Sequence, residues 1–308
     1  MSEHISRNAE LLFAENLLPT PAQSERSNFF YSFSLLPKDE RLAIRSVYEF
    51  CRYTDDLVDE DVPLDIPGIN LRKELEIEKK RVRLNWWREE VEKCYAGTSK
   101  HPILSGLHKA ISRFKIPKQY FLTLIDGVEM DLVKNRYESF DELKGYCYAV
   151  ASIVGLITIE IFGYKFEETK EYAVDLGIAL QLTNILRDIK KDAKMGRIYL
   201  PKEDMRRFGV TEQDILNSNY NLPFINLMKF ETARARMYYA SARSKLARNE
   251  RFTLFAARIM DAIYYRLLRK IELAEFDVYR KRITVSTPHK LIIAFKFWFR
   301  SVLFRKNG

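Results

Sequence analysis

The chain of 308 residues carries 51 Lys and Arg against 42 Asp and Glu, is 47% hydrophobic and 30% charged, and contains only 11 Gly and 10 Pro. That balance excludes a disordered or collagen-like chain, and the scarcity of breakers favours long helices around a sizeable core. Three cysteines and four histidines at no metal-ligand spacing exclude a disulfide scaffold and a zinc centre, while the net charge of +9 points to an anionic partner or to plain solubility.

The opening MSEHISRNAELL contains acids and lacks an apolar stretch, so no signal peptide is expected, and the cysteine usage suits a reducing cytoplasm. Helical periodicity begins at 40–59 and recurs over 104–113, 119–133, 140–162, 168–188, 226–246 and 252–278. Loops are expected over 61–70, which holds Pro63, Pro67 and Gly68, and over 96–102 and 217–223. There is no run of alternating short strands, no fixed-period repeat and no G-x-G-x-x-G after a strand. No uninterrupted apolar run approaches the roughly 18 residues of a membrane span. The expectation is an all-α fold, a single domain over 1–308.

The first helix carries Asp55 and Asp59. Four residues apart, they share a face and stand roughly 6 Å apart along the axis. Such a pair repels itself unless a cation or donor sits between, and Arg52 lies one turn before it. In the segment 168–188 and just beyond, Gln181, Asn184, Asp188 and Asp192 form one oxygen-bearing stripe on an otherwise apolar helix. Polar groups on a half-buried helix need partners. Each cluster alone also reads as a solvated helix face, but two acidic pairs inside apolar helices suit magnesium, which is hard, prefers oxygen and shares its coordination with water and substrate phosphates. Asp55, Asp59, Asn184, Asp188 and Asp192 are the candidate metal ligands. The chemistry is then the departure of a diphosphate, with the carbocation left behind shielded by apolar and aromatic walls.

The segment 288–306, PHKLIIAFKFWFRSVLFRK, is too short and too basic to span a bilayer. On a helical wheel His289, Lys296 and Arg300 form one stripe with bulky apolar residues around the rest. It reads either as a helix lying on a membrane surface or as a terminal helix docked on the core.

Several blocks resemble one known family, the squalene/phytoene synthases. Ser27–Pro37, Arg41 and Tyr48–Asp59 resemble their opening; Gly145–Gly155 (GYCYAVASIVG) their central helix; Leu180–Asp192, followed by Gly196-Arg-Ile-Tyr-Leu-Pro201, their second aspartate-rich motif; and Ile263-Tyr264 with Phe276–Leu291 their closing segment. The similarity runs over about 25–292. It implies the isoprenoid-synthase helical bundle with a central cavity, and the head-to-head (1′–1) condensation of two prenyl diphosphates, C15 or C20, through a cyclopropylcarbinyl diphosphate. It further implies that Asp55, Asp59, Asp188 and Asp192 hold several diphosphate-bridged Mg²⁺ ions, with Mn²⁺ an alternative, assisted by Gln181 and Asn184. Arg52, Arg187, Tyr199 and Tyr264 would contact diphosphate or the cation site, and Arg282 would close over a diphosphate or belong to a solvated basic stretch. Phe29, Phe33, Tyr146, Val150, Ala151, Val154 and Gly155 would line prenyl tunnels, Gly155 serving either close ligand approach or helix packing. Two positions depart from many relatives: Asn28 stands where Ser is common, and Ser152 where Gly is common, so that Ser152 is expected to narrow a tunnel or bond back into its helix.

Phe33, a bulky ring one turn after Phe29, leans toward farnesyl diphosphate, and the run Ile125–Leu132 with the segment Phe276–Leu291 resembles bacterial hopanoid-pathway presqualene diphosphate synthases, which implies a presqualene diphosphate or squalene-type product. The alternative is a phytoene synthase of the carotenoid pathway using geranylgeranyl diphosphate. No NADPH use and no nucleic-acid partner are expected, and peripheral association with the inner face of the cytoplasmic membrane is. The rivals are a terpene cyclase or chain-elongating prenyltransferase, and a non-enzymatic basic module for nucleic acid or anionic lipid.

Overall fold

Long amphipathic stretches with few breakers dictate the architecture. The computed structural model describes residues 33–59 and 69–305, and among them there is no strand. The helices are α1 (Lys38–Asp59), α2 (Ile69–Tyr95), α3 (Pro102–Phe114), α4 (Lys118–Val133), α5 (Phe140–Phe162), α6 (Glu168–Lys194), α7 (Lys202–Phe208), α8 (Glu212–Leu216), α9 (Leu222–Lys245), α10 (Phe255–Leu273) and α11 (Thr287–Arg305). Phe29 and Asn28 lie outside the described residues, as does most of the expected 61–70 loop.

Helix α2 has no counterpart in the periodicity reading. Its first turns are crowded with charge (LRKELEIEKKRVR), and only Leu84, Trp87, Val91 and Cys94 form a buried seam. The seam's Trp87 meets Phe50 of α1 edge-on at 5.5 Å, and Phe50 meets Phe121 of α4 at 5.3 Å. Edge-to-face rings at these separations add about 1 kcal/mol each to their burial.

Helix α5 is long and apolar enough to cross a membrane, yet 61% of its apolar window is buried inside the protein, between α4 and α6. It is the central helix of the core. Five residues in its middle, Tyr148–Ser152, form a π turn. Two glycines clasp that turn. A Cβ on Gly127 of α4 would lie 2.7 Å from the Ala149 Cβ, and one on Gly177 of α6 would lie 2.5 Å from the Ser152 Cα. Ser152 is fully buried and donates to the Val174 carbonyl of α6 at 2.7 Å. It neither narrows a tunnel nor bonds back into its own helix; it ties α5 to α6 at their closest crossing.

Helix α6 continues to Lys194, two turns beyond the expected end, so Asp192 is helical. On its outer side it packs along α9, where Thr183 and Tyr239 exchange a hydroxyl hydrogen bond at 2.9 Å and Asp175 accepts from Ser241 and Lys245. Helix α10 ends at Leu273, short of the expected 278. Glu275 and Phe276 take left-handed backbone angles (φ 53° and 67°), and Asp277 then caps the Tyr279 and Arg280 amides. This reversal, built without glycine, sends 282–285 back across the ends of α6 and α10.

Candidate active site

Helices α1, α4, α5, α6 and α10 and the returning 282–285 segment enclose a cavity of about 730 Å³. Every candidate metal- or substrate-contacting residue named from sequence whose side chain is described lines it: Phe33, Arg52 and Asp55 on the α1 side, Tyr146, Val150, Ala151, Val154 and Gly155 from α5, and Gln181, Asn184, Arg187, Asp188 and Asp192 from α6. Tyr199, Tyr264 and Arg282 complete the set. Asp59 is the last residue of α1, one turn beyond Asp55; its side chain lies outside the described residues.

The α6 stripe is the polar wall. Asp188 accepts from Arg187 through both carboxylate oxygens, one at 2.9 Å, and from Arg282 at 3.1 and 3.4 Å. Burial works to raise its pKa, but the two guanidinium groups hold it below the usual carboxylate range. One turn on, Asp192 shows the opposite balance. Burial, then the negative charge of Asp188, push its carboxyl up to about 7. Asn184 donates to Gln181 at 3.4 Å, while its own Oδ1 is buried without a hydrogen-bond partner. A buried acceptor without a donor and a carboxyl whose charge is disfavoured by burial and by Asp188 are groups that a hard cation would satisfy.

The donor set is therefore oxygen-only: Asn184, Asp188 and Asp192 on one helix, with Asp55 on another. Among the described residues no three His, Cys, Asp or Glu side chains converge to cage an ion. An oxygen-only donor set suits a hard divalent ion that completes its shell with water and substrate oxygens, and the residues fit Mg²⁺ in this sense. Six cationic side chains, Arg52, Arg187, Lys191, Arg197, Arg282 and Lys290, line the same cavity and suit a polyanionic head group. Arg52 pairs with Asp56 at 3.1 Å.

Two of the expected site residues, Tyr146 and Tyr199, meet on an acid that sequence reading missed as a site residue. Asp131 of α4 accepts from the Tyr199 hydroxyl at 2.7 Å and the Tyr146 hydroxyl at 2.9 Å. The Tyr146 and Tyr199 rings stack at 5.2 Å, and Tyr137 stacks on Tyr199 at 5.9 Å. Burial and the adjacent Asp131 charge hold both hydroxyls well above the ordinary tyrosine pKa, so both stay neutral. Tyr199 is set in place by pairing of its strand-like segment with 135–137: Ile198 N–H donates to Asn135 at 3.0 Å and the Arg136 guanidinium to the Gly196 carbonyl at 2.7 Å. A signal for Asp131 was present, since it continues the buried stripe Leu124, Val128 at i+7 and i+3. An acid on an apolar stripe needs a reason. Arg197, Lys191 and Lys290 fall inside the family-resembling blocks, but nothing in their spacing marked them as cavity residues.

Gly155 has the surroundings of both its expected roles. A Cβ there would lie 2.8 Å from the Ala173 carbonyl oxygen, and the residue also borders the cavity. Phe33 leans on Phe162 with ring centroids 6.1 Å apart and forms one wall.

The model of the squalene/phytoene synthase family matches residues 22–289 of this sequence. The chain belongs to the squalene/phytoene synthase family. It is 36% identical over 280 residues to a phytoene synthase of Arthrospira platensis, covering 86% of this chain and 85% of that one. It is 34% identical to a 15-cis-phytoene synthase of Synechocystis sp., covering 89% and 81%. A crystal structure of a dehydrosqualene synthase in complex with ligand superposes with a TM-score of 0.75 at 25% identity, over 93% of this chain and 94% of that one. As a member of the squalene/phytoene synthase family, which performs head-to-head condensation of prenyl diphosphates, the protein is a prenyltransferase, and the family depends in general on a divalent metal.

Proposed function

We propose that this prenyltransferase condenses two geranylgeranyl diphosphates, as a phytoene synthase. The observation that carries the reading is the pair of curated relatives named phytoene synthase, similar over most of both chains. They favour the C20 alternative over the farnesyl expectation that Phe33 had suggested. The cavity supports it: its α6 wall runs from Asp188 down to Tyr172, a depth of about 24 Å at 1.5 Å per residue, and an extended C20 tail fits within that depth.

In this reading Asp55, Asp59, Asn184, Asp188 and Asp192 hold the Mg²⁺ ions, which when bound neutralise the leaving diphosphate as Lewis acids. Arg187 and Arg282 already form a fork around one carboxylate and offer the same donors to diphosphate oxygens. The C1–O bond of one substrate breaks, diphosphate takes the electron pair, and the C2=C3 bond of the second substrate attacks the allylic cation. Loss of a proton from C1 of the first, ionised substrate lets that carbon bond to C3 of the second as well and closes the cyclopropane, and the second substrate's C1 keeps its diphosphate. A second ionisation, rearrangement and proton loss give the C40 hydrocarbon with no reductant required. The apolar faces of Val150, Val154, Leu176 and Leu180 keep water from the cation. Tyr146 and Tyr199 line the same cavity and put aromatic rings within its wall, where a cation is stabilised by their electron density.

Incubation with labelled farnesyl or geranylgeranyl diphosphate and Mg²⁺, with the product identified by mass, tests the reading. A C40 hydrocarbon from the C20 substrate is expected; a C30 product formed in preference would overturn the chain length, and no product from either would overturn the enzyme assignment of the site. In Phe33→Ala the removed ring opens the wall against Phe162, and the ratio of C20 to C15 turnover is expected to rise by about tenfold.

Asp131 positions the two tyrosines. Asp131→Asn keeps the shape but exchanges a charge-assisted acceptor for a neutral one, a difference of about 1.5–3 kcal/mol. We expect kcat to fall about 10- to 100-fold with KM within about threefold. An unchanged kcat would make the cluster purely structural.

A further inference from the structure

Helix α11 has two faces. One is docked: Ala294 and Ser301 are buried, Ile293, Phe297 and Trp298 half-buried, and the Arg258 guanidinium of α10 lies 4.7 Å over the Phe297 ring. The other is open and apolar. Leu291, Ile292, Phe295, Phe299, Val302 and Leu303 are each 40–65% exposed, and Phe295 stacks on Phe299 at 5.9 Å with an angle of 20° between the rings. At 3.6 residues per turn these six fill one arc of about 120°. Exposed Lys296 and Arg300 border that arc on one side.

Charge identifies the occupant. Residues 278–308 contain eight Lys or Arg and no Asp or Glu, so nearly all of the chain's net charge of +9 lies in this segment. A second copy would set two such basic segments against each other, which repel. An apolar arc edged by cations with no acids fits an anionic lipid surface, which takes the rings between its acyl chains and the Lys and Arg among its head groups.

We propose that the exposed face of α11 seats in the interface of an anionic bilayer and opens the cavity toward it. The placement supports the second clause. Arg282, Ile283, Thr284, Val285 and Lys290 line the cavity, and the next two residues, Leu291 and Ile292, begin the exposed arc. Substrate tails and hydrocarbon product thus pass between lipid and cavity at this end of the bundle. The identity of that cargo rests on the condensation reading; the docking itself does not.

The test is flotation of the full chain with vesicles of phosphatidylcholine, alone or with about 30 mol% phosphatidylglycerol. We expect at least about tenfold more protein on the anionic vesicles, with the excess lost as salt rises. The pair Phe295→Ser with Phe299→Ser should lower binding at least about tenfold, and Lys296→Glu with Arg300→Glu should do the same. Turnover of both variants on detergent-dispersed prenyl diphosphate should stay within about twofold of the parent, which separates a failure of docking from a failure of the condensation reading. Binding unchanged in both variants would overturn the proposal. So would a parent protein that binds neither vesicle and sediments as a dimer that the serine pair splits, because the face would then join two copies. Circular dichroism melts of both pairs keep a folding defect from passing as lost binding.

Discussion

Asp188→Asn is expected to lower kcat by about 10³-fold while the protein stays folded. The carboxylate is the central group of the α6 stripe, flanked by Asn184 and Asp192 and gripped by Arg187 and Arg282. Its charge is needed twice, to hold a cation and to set the two guanidinium groups that meet the departing diphosphate. Losing about 4 kcal/mol of transition-state stabilisation corresponds to that factor. The amide is the better test than alanine. Either change removes the charge that balances the largely buried Arg187, but the amide keeps an oxygen to accept from it, whereas Asp188→Ala also leaves those N–H groups unsatisfied at a further cost of about 1–3 kcal/mol and confuses unfolding with lost chemistry. Single-turnover rates with Mg²⁺, alongside a thermal melt, separate the two. Turnover within tenfold of the parent would show that the stripe does not carry the reaction.

Gly177→Ala is expected to lower the melting temperature by about 5–10 °C, a loss of about 2–4 kcal/mol. The added methyl would sit 2.5 Å from the Ser152 Cα, 2.6 Å from its nitrogen and 2.9 Å from the Ala151 carbonyl carbon. All three are backbone atoms, so no rotamer can relieve the clash and α5 must move off α6. That movement also stretches the Ser152 to Val174 hydrogen bond. Gly145→Ala is the matched control. A Cβ there meets nothing within 4 Å, and helix propensity makes the change neutral to about 1 kcal/mol stabilising. Equal melts for the two variants would mean the crossing is looser than its geometry.

The α6 stripe was legible because oxygen-bearing side chains at helical spacing stand out on an apolar helix. The same logic reached Asp55 through its spacing from Asp59. It did not reach Asp131, whose partners Tyr146 and Tyr199 are 15 and 68 residues away and come together only in the fold. Arg282 was named through family resemblance alone. Its approach to Asp188 depends on the chain reversal at Glu275 and Phe276, where no Gly or Pro announces a turn. Helix α2 was hidden by charge, since its charged early turns dilute the seam that runs from Leu84 to Cys94. Gly155 was read with two alternatives, and the fold has room for both, since the residue abuts the Ala173 carbonyl and borders the cavity. Ser152 shows the limit most directly: a single hydroxyl in an apolar helix states that a partner exists, without saying on which helix.

The π turn of α5 has a consequence for how such a chain can change length. One residue fewer within Tyr148–Ser152 would leave an ordinary helix, with better hydrogen bonds and greater stability. Because the wide turn absorbs one residue, the helix before it and the helix after it keep the phase of a continuous α-helix one residue shorter. Forcing Tyr148–Ser152 into ordinary α geometry with no residue removed would instead rotate one half by about 100° against the other and swing Tyr146 away from Asp131. The bulge therefore works as a register shim: it takes up a residue of extra length while both halves of one helix go on facing the same cavity.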